Sequence, residues 1–128
     1  LIETWKIRHP NINLQYQMNL KAAPKIKESI SIAIYRIIQE CLTNISRHAK
    51  ARHVEIDIHL IKKTKSQTVI DIHVMDDGVG FKKSHRDGFG LSGMRERIHE
   101  MNGKMKVESA INRGVSFNIQ LPISTLRK

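Results

Sequence analysis

Three stretches of the chain carry side chains whose types and spacing could do chemistry. In QECLTNISRHAKA, residues 39–51, Glu40, Asn44 and His48 recur every four residues. On a helix this spacing makes one stripe, and it borders an apolar face through Cys41 and Ile45. Asn is a poor helix former and needs a hydrogen-bond partner when buried. The stripe therefore reads either as a solvated flank or as a ligand set. As a ligand set, Asn44 offers a carboxamide oxygen to a hard cation such as Mg²⁺, which takes few protein ligands and favours substrate phosphates for the rest. Glu40 would then orient a metal-bound water, and Arg47, His48 or Lys50 would reach phosphate oxygens.

The second stretch is DDGVG, residues 76–80, at the end of an alternating run. A carboxylate fixed there, Asp76, can accept a hydrogen bond from an exocyclic amine such as adenine N6. Gly78 and Gly80 allow a ring to approach the backbone closely. The same letters also spell an ordinary acidic turn. The third, GFGLSG at 88–93, leads straight into a helical pattern. Glycine-rich backbone at a helix N-terminus makes an anion site, or else a flexible joint. Its G-x-G-x-x-G spelling is not the dinucleotide fingerprint, because an irregular basic loop precedes it and antiparallel-type strands follow. Between the glycine clusters lies FKKSHRD, residues 81–87, short, polar and basic, as a lid over phosphates would be. The sequence does not rank Lys82, Lys83, His85 and Arg86 among themselves.

These groups need a scaffold, and hydrophobic periodicity supplies one. Residues 12–20 alternate, with Ile12, Leu14, Tyr16, Met18 and Leu20 on one face of a half-buried strand. Residues 29–48 show helical spacing instead, with an apolar stripe from Ile30 to Ile45. Runs 54–60 and 68–75 alternate around the polar turn KKTKSQ, which predicts an antiparallel hairpin. A helix is expected over 91–102, stopped by Gly103 as its left-handed C-terminal residue. Strands are expected at 104–108 and 115–121. The order is strand, helix, strand, strand, glycine loop, helix, strand, strand. It predicts an α+β, two-layer sandwich with a mixed, largely antiparallel sheet; a doubly wound nucleotide fold would alternate strictly.

The chain's 128 residues are enough for one domain with a single core. The lone Cys41 excludes an internal disulfide and a cysteine-rich zinc site. No apolar run approaches the roughly 20 residues of a membrane-spanning helix, and no signal-peptide pattern opens the chain. It begins without Met and in mid-pattern, as a piece of a larger protein would. Net charge is +10, concentrated in residues 1–53 and 77–128. Such charge suits a polyanionic partner or a merely solvated surface. Nucleic acid is not the expected partner. No helix-turn-helix, zinc-finger or RNP signature appears, and one Trp, two Tyr and three Phe are few for base stacking.

Taken in order, the segments resemble the ATP-binding domain of the GHKL superfamily, the Bergerat fold. Glu40-x-x-x-Asn44 resembles its N box, Asp76-x-Gly78-x-Gly80 its G1 box, Gly88-x-Gly90-Leu91 its G2 box, and RGVSFNIQL at 113–121 its closing segment. More narrowly, NISRHAKA and GFGLSGMRERI resemble the catalytic domain of sensor histidine kinases of the nitrate-, sugar-phosphate- and thermosensor type. The resemblance covers about residues 12–122. It implies ATP and Mg²⁺ as ligands, with Asn44 on the metal and Asp76 on the adenine amine. Gly78, Gly80, Phe81, Gly88, Phe89, Gly90, Leu91 and Val115 would line the nucleotide pocket, with His48 and Lys50 near the phosphates. Glu40 would be catalytic with Asn44. Val115 stands where the family usually has Thr, so a hydroxyl near adenine is missing. None of the seven histidines sits in the family's phosphoacceptor context. The acceptor and dimerisation helices would therefore lie outside this chain, and a response regulator would take the phosphate next. The implied setting is cytoplasmic, with no membrane contact by the chain itself. A serine kinase of the anti-sigma-factor type shares the boxes but fits the GMRER run less well.

Overall fold

The computed structural model describes residues 2–20, 26–46, 50–65, 67–79, 91–110 and 113–123. In chain order they form α1 (Ile2–Arg8), β1 (Asn13–Asn19), α2 (Glu28–Asn44), β2 (His53–Lys62), β3 (Thr68–Asp76), α3 (Leu91–Glu100), β4 (Lys104–Ala110) and β5 (Gly114–Pro122). The five strands make one sheet in the order β1-β2-β3-β5-β4. β1 runs parallel to β2, and the remaining pairs are antiparallel. The connectivity explains the difference. β1 and β2 are joined through α2, the crossover that parallel strands require. β2 and β3 are joined by a tight turn closed by Lys63 N–H donating to Gln67 O at 2.9 Å.

Period-two alternation puts every second residue on the inner face. Ile56 faces Val74, Ile58 faces Ile72, and on the other side of β3, Ile72 faces Ile119 and Val74 faces Phe117. All are buried, together with Ile30, Ile37, Ile38, Cys41 and Leu42 of α2 and Leu91, Met94 and Ile98 of α3. Burying each such side chain contributes about 1.5–3 kcal/mol. The outer face is a polar lattice: His73 Nδ1 lies 2.8 Å from Asn118 Oδ1, and Gln120 Nε2 donates to Asp71 at 3.2 Å. One apolar and one hydrated sheet face is the two-layer arrangement that the alternation predicts.

The structure departs from the sequence expectation at four places. α1 carries no periodic signal because Trp5 is its one buried residue; that ring stacks on His9 at 4.1 Å. In β1 only Leu14 is buried, while Tyr16 and Met18 are 41% and 51% exposed, since an edge strand has a neighbour on one side only. α2 is regular α-helix to Asn44 and goes on as a wider helical turn at 45–46, while residues 47–49, the rest of the expected span, lie outside the described residues. Finally, the left-handed residue after α3 is Asn102, with φ 61°, and not Gly103. Gly103 is required for a different reason. A Cβ there would lie 2.7 Å from the Gln120 carbonyl oxygen and 2.9 Å from Ile98 and Leu121, so only glycine lets the chain pass so close to β5.

Candidate functional site

Two polar side chains are buried among the described residues, Asn44 and Asp76, and both belong to the sequence-derived set. Asn44 lies three residues after Cys41 and seven after Ile37, so helical geometry turns it toward the core and away from solvent. It is 7% exposed, and its Nδ2 has no hydrogen-bond partner. A buried, unpaired amide costs about 1–3 kcal/mol. This position is no solvated flank. Glu40, one turn earlier, is half-buried and lines a groove of about 470 Å³ between α2 and α3 with Arg36, Gln39 and Arg97. Its charge, after burial itself, helps push the Cys41 thiol pKa up, so that thiol is inert packing.

Asp76 closes β3 on the inner-facing parity of Ile70, Ile72 and Val74, and it is 4% exposed. Its Oδ1 accepts the Gly78 N–H at 2.7 Å, and the carboxylate also accepts the backbone N–H of Val115. Burial raises its pKa above the ordinary carboxylate value, and these two N–H groups only partly offset that. The result is a fixed, desolvated acceptor with lone pairs left for a donor. Val115 is itself buried and gives Asp76 a backbone donor but no side-chain hydroxyl.

The neighbouring Asp77 behaves differently. Its slight burial would raise its pKa. The His53 N–H at 2.9 Å, the His53 ring Nδ1 at 2.8 Å and the Arg52 N–H at 2.8 Å outweigh that and hold it down to about 2. Gly114 is as closely fitted. Its φ is 81°, and an added Cβ would overlap the Asp76 carbonyl oxygen and lie 2.7 Å from the carbonyl carbon. Neither Asp77 nor Gly114 was in the residue set that the sequence offered for the site. The signals were present, a second acid directly after a strand-end acid and a lone glycine opening a strand, but both act through partners far away in sequence.

The remaining candidates divide. Lys50 is exposed and holds a left-handed backbone, φ 51°. Gly78 takes part through its N–H. Leu91 begins α3 and is buried in the core at 2% exposure. Asp76 and Val115 line a small cleft of about 260 Å³ with Gly114 and Arg113, distinct from the groove that holds Glu40. His48, Gly80, Phe81, Gly88, Phe89 and Gly90 lie outside the described residues. Among the described residues no cluster of His, Cys, Asp and Glu could by itself hold a metal ion. The oxygen donors present, the Asn44 amide and the Glu40 carboxylate, suit a hard cation that draws its other ligands from phosphate and water. The atom of Asn44 left without a partner is the Nδ2 donor, as is the indole Nε1 of Trp5; the Asn44 amide oxygen is the atom that could face a cation.

Comparison with known proteins agrees with this geometry. The family described as histidine kinase-, DNA gyrase B- and HSP90-like ATPase matches residues 29–125. The signal transduction histidine-protein kinase/phosphatase DegS of Brevibacillus brevis is 37% identical over 103 residues, covering 79% of this chain and 25% of the relative. The oxygen sensor histidine kinase NreB of Staphylococcus carnosus is 34% identical over 116 residues, covering 88% of this chain and 32% of the relative. The chain thus spans a quarter to a third of these curated relatives. Among solved structures, the histidine kinase domain of the Erythrobacter litoralis EL346 blue-light activated kinase superposes with a TM-score of 0.73 at 17% identity, covering 94% of this chain and 57% of that one. The likeness is one of fold, and it is to the same two-layer α+β architecture. With three-quarters of its length matched to one ATP-binding family, the chain belongs to the histidine kinase-, DNA gyrase B- and HSP90-like ATPases.

Proposed function

We propose that this chain is the catalytic domain of a sensor histidine kinase, binding Mg²⁺-ATP and presenting the γ-phosphate to a histidine on a separate helical domain. A response-regulator aspartate would receive the phosphate next. The observation that carries the reading is the pair of buried polar side chains, Asn44 at the end of α2 and Asp76 at the end of β3. Asp76, preset by two backbone N–H groups, accepts the adenine amine and fixes the base. Asn44 would offer its amide oxygen to Mg²⁺ and Glu40 would orient a metal-bound water, and the ion would neutralise phosphate charge. Lys50, and His48 by the resemblance, face the phosphates. Gly80, Phe81, Gly88, Phe89 and Gly90 belong to the lid and pocket wall on the same footing. Catalysis in such a site is positioning and charge compensation, as phosphoryl transfer generally is. The domain works on the cytoplasmic side, where ATP is; no described helix is long and apolar enough to cross a membrane.

The test is calorimetric titration of the chain with ATP and ADP, with and without Mg²⁺. Wild type should bind, Asp76→Asn should lose at least about tenfold in affinity, and Asn44→Ala should lose the Mg²⁺ dependence. Absence of binding by the wild type, or unchanged binding by both variants, would refute the reading. A phosphoacceptor-helix fragment mixed with the chain and labelled ATP then tests transfer to histidine directly.

A further inference from the structure

We propose that Asp77 is a positioning residue of the nucleotide site. Its side chain takes over a main-chain role at the end of the β2–β3 ladder and so fixes where the glycine loop leaves the sheet. This rests on the nucleotide-binding reading above.

The ladder shows how. Val54 pairs with Asp76, so His53 and Asp77 are the next partners in register. In a regular antiparallel pair the two residues would exchange N–H···O bonds. Only one of those bonds is present, Asp77 N–H donating to the His53 carbonyl at 3.2 Å. The return bond is diverted: the His53 N–H donates to Asp77 Oδ1 at 2.9 Å, and the Arg52 N–H donates to the same oxygen at 2.8 Å. The His53 ring Nδ1 sits 2.8 Å from Oδ2. With its carboxylate in the place of its own carbonyl, the Asp77 backbone is free to turn at once into Gly78, whose N–H reaches back to Asp76.

The same bonds hold the other side of the site. Arg52 and His53 follow Lys50 by two and three residues, and the Arg52 carbonyl accepts the Asn13 N–H of β1 at 2.8 Å. Ala51, between Lys50 and Arg52, is buried. Lys50 itself keeps a left-handed backbone that an L-residue adopts only when its surroundings impose it. Asp77 thus ties the base-reading carboxylate next to it to the segment that carries the phosphate-side lysine, across 24–25 positions of sequence. A neutral acceptor of the same shape can keep the two backbone bonds. A methyl group cannot.

The experiment measures ADP affinity of the 128-residue chain for wild type, Asp77→Ala and Asp77→Asn. Measurements are made at a temperature where circular dichroism shows each variant fully folded. Backbone amide hydrogen exchange is followed alongside. Asp77→Ala should bind about 5- to 30-fold more weakly, and Asp77→Asn should recover to within about threefold of wild type. In wild type the Arg52 and His53 amides should be protected from exchange. A folded Asp77→Ala with wild-type affinity overturns the proposal, as does an Asp77→Asn no better than Asp77→Ala. So do unprotected Arg52 and His53 amides in the wild type, a readout that stands even where Asp77→Ala does not fold. If the wild type fails to bind ADP, the nucleotide reading itself is what falls, while the exchange data still judge the ladder-end bond.

Discussion

Gly114→Ala should be among the most damaging single-methyl changes this chain can suffer. Two costs add. At φ 81° an L-residue is disfavoured by about 1–2 kcal/mol. The new Cβ would also overlap the Asp76 carbonyl oxygen, lie 2.7 Å from the carbonyl carbon and 3.1 Å from the Asp77 Cα. Carbon atoms in comfortable contact sit about 3.5–4.0 Å apart, so β5 must retreat from β3 by about 1 Å at its first residue. That displacement pulls the Val115 N–H off the Asp76 carboxylate, and a hydrogen bond to a charged acceptor is worth about 1.5–3 kcal/mol. Together the destabilisation is about 3–5 kcal/mol, a large share of the roughly 5–15 kcal/mol that holds a domain folded. Equilibrium urea unfolding measures it. With a slope of about 1–3 kcal/mol per molar for a small domain, the midpoint should fall by about 2 M. ADP affinity of the folded fraction should drop at least about tenfold, because Asp76 loses a donor that sets it. Gly93→Ala is the control: nothing lies within 4 Å of its added Cβ, and it sits in α3, so it should be neutral or stabilise by up to about 1 kcal/mol. The reasoning is refuted if Gly114→Ala costs less than about 1 kcal/mol and binds nucleotide like wild type.

Asn44→Leu removes a buried amide whose Nδ2 lacks a partner, so the nucleotide-free chain should gain about 1 kcal/mol in urea unfolding while nucleotide binding loses its Mg²⁺ dependence. Because burial raises the Asp76 pKa, its proton returns at a higher pH than for a free carboxylate, and ADP affinity should weaken on acidification before a free carboxylate would titrate; Asp76→Asn should flatten that profile. For folding the sign is opposite to the usual carboxylate case: Asp76 makes the fold less stable as pH rises from 3.8 through its raised folded value. Asp77 follows the usual sign, with stability present above 3.8 and lost as pH falls toward about 2. Its full linkage would be roughly 2 kcal/mol, but the half-exposed carboxylate is screened, which leaves about 1 kcal/mol, and acid titration of Asp77→Asn should lack that component.

How much of this was readable in advance depended on whether the signal was local. β2, β3 and β5 were legible because one sheet face is apolar and the other hydrated, so Ile56, Ile72 and Ile119 alternate with His59, His73 and Asn118. α1 was not, since a seven-residue helix with one buried residue, Trp5, and a partly buried Ile2 has no period to detect. Asp76 was legible as a strand-end carboxylate. Asp77 was not, because its carboxylate is held by the amides of Arg52 and His53, and nothing in DDGVG says which strand end those letters will meet. Gly114 and Gly103 share that limit: each is required by a backbone on another strand, and neither by its own turn alone. The glycine-loop assignments from Gly80 to Gly90 lie outside the described residues.

The two buried polar residues make a sharper point about where function lies in the pattern. Asn44 continues the apolar register of Ile37 and Cys41, and Asp76 continues that of Ile70, Ile72 and Val74. At both positions the local rule calls for an apolar side chain, and at both an apolar one would spare the fold an unpaired amide or a desolvated charge. Each violation falls at the last residue of its element, α2 in one case and β3 in the other, where the inner layer runs out and the chain passes into its loops. A violation in mid-element would open the core. At an element's end it opens only the rim of the core, where a ligand can reach it without unpacking the domain. The two buried residues of polar type thus sit at element ends, whereas the other buried polar atom without a partner, the indole Nε1 of Trp5, belongs to a side chain that is otherwise apolar core; an element end is where a local rule can be broken at least cost to the packing.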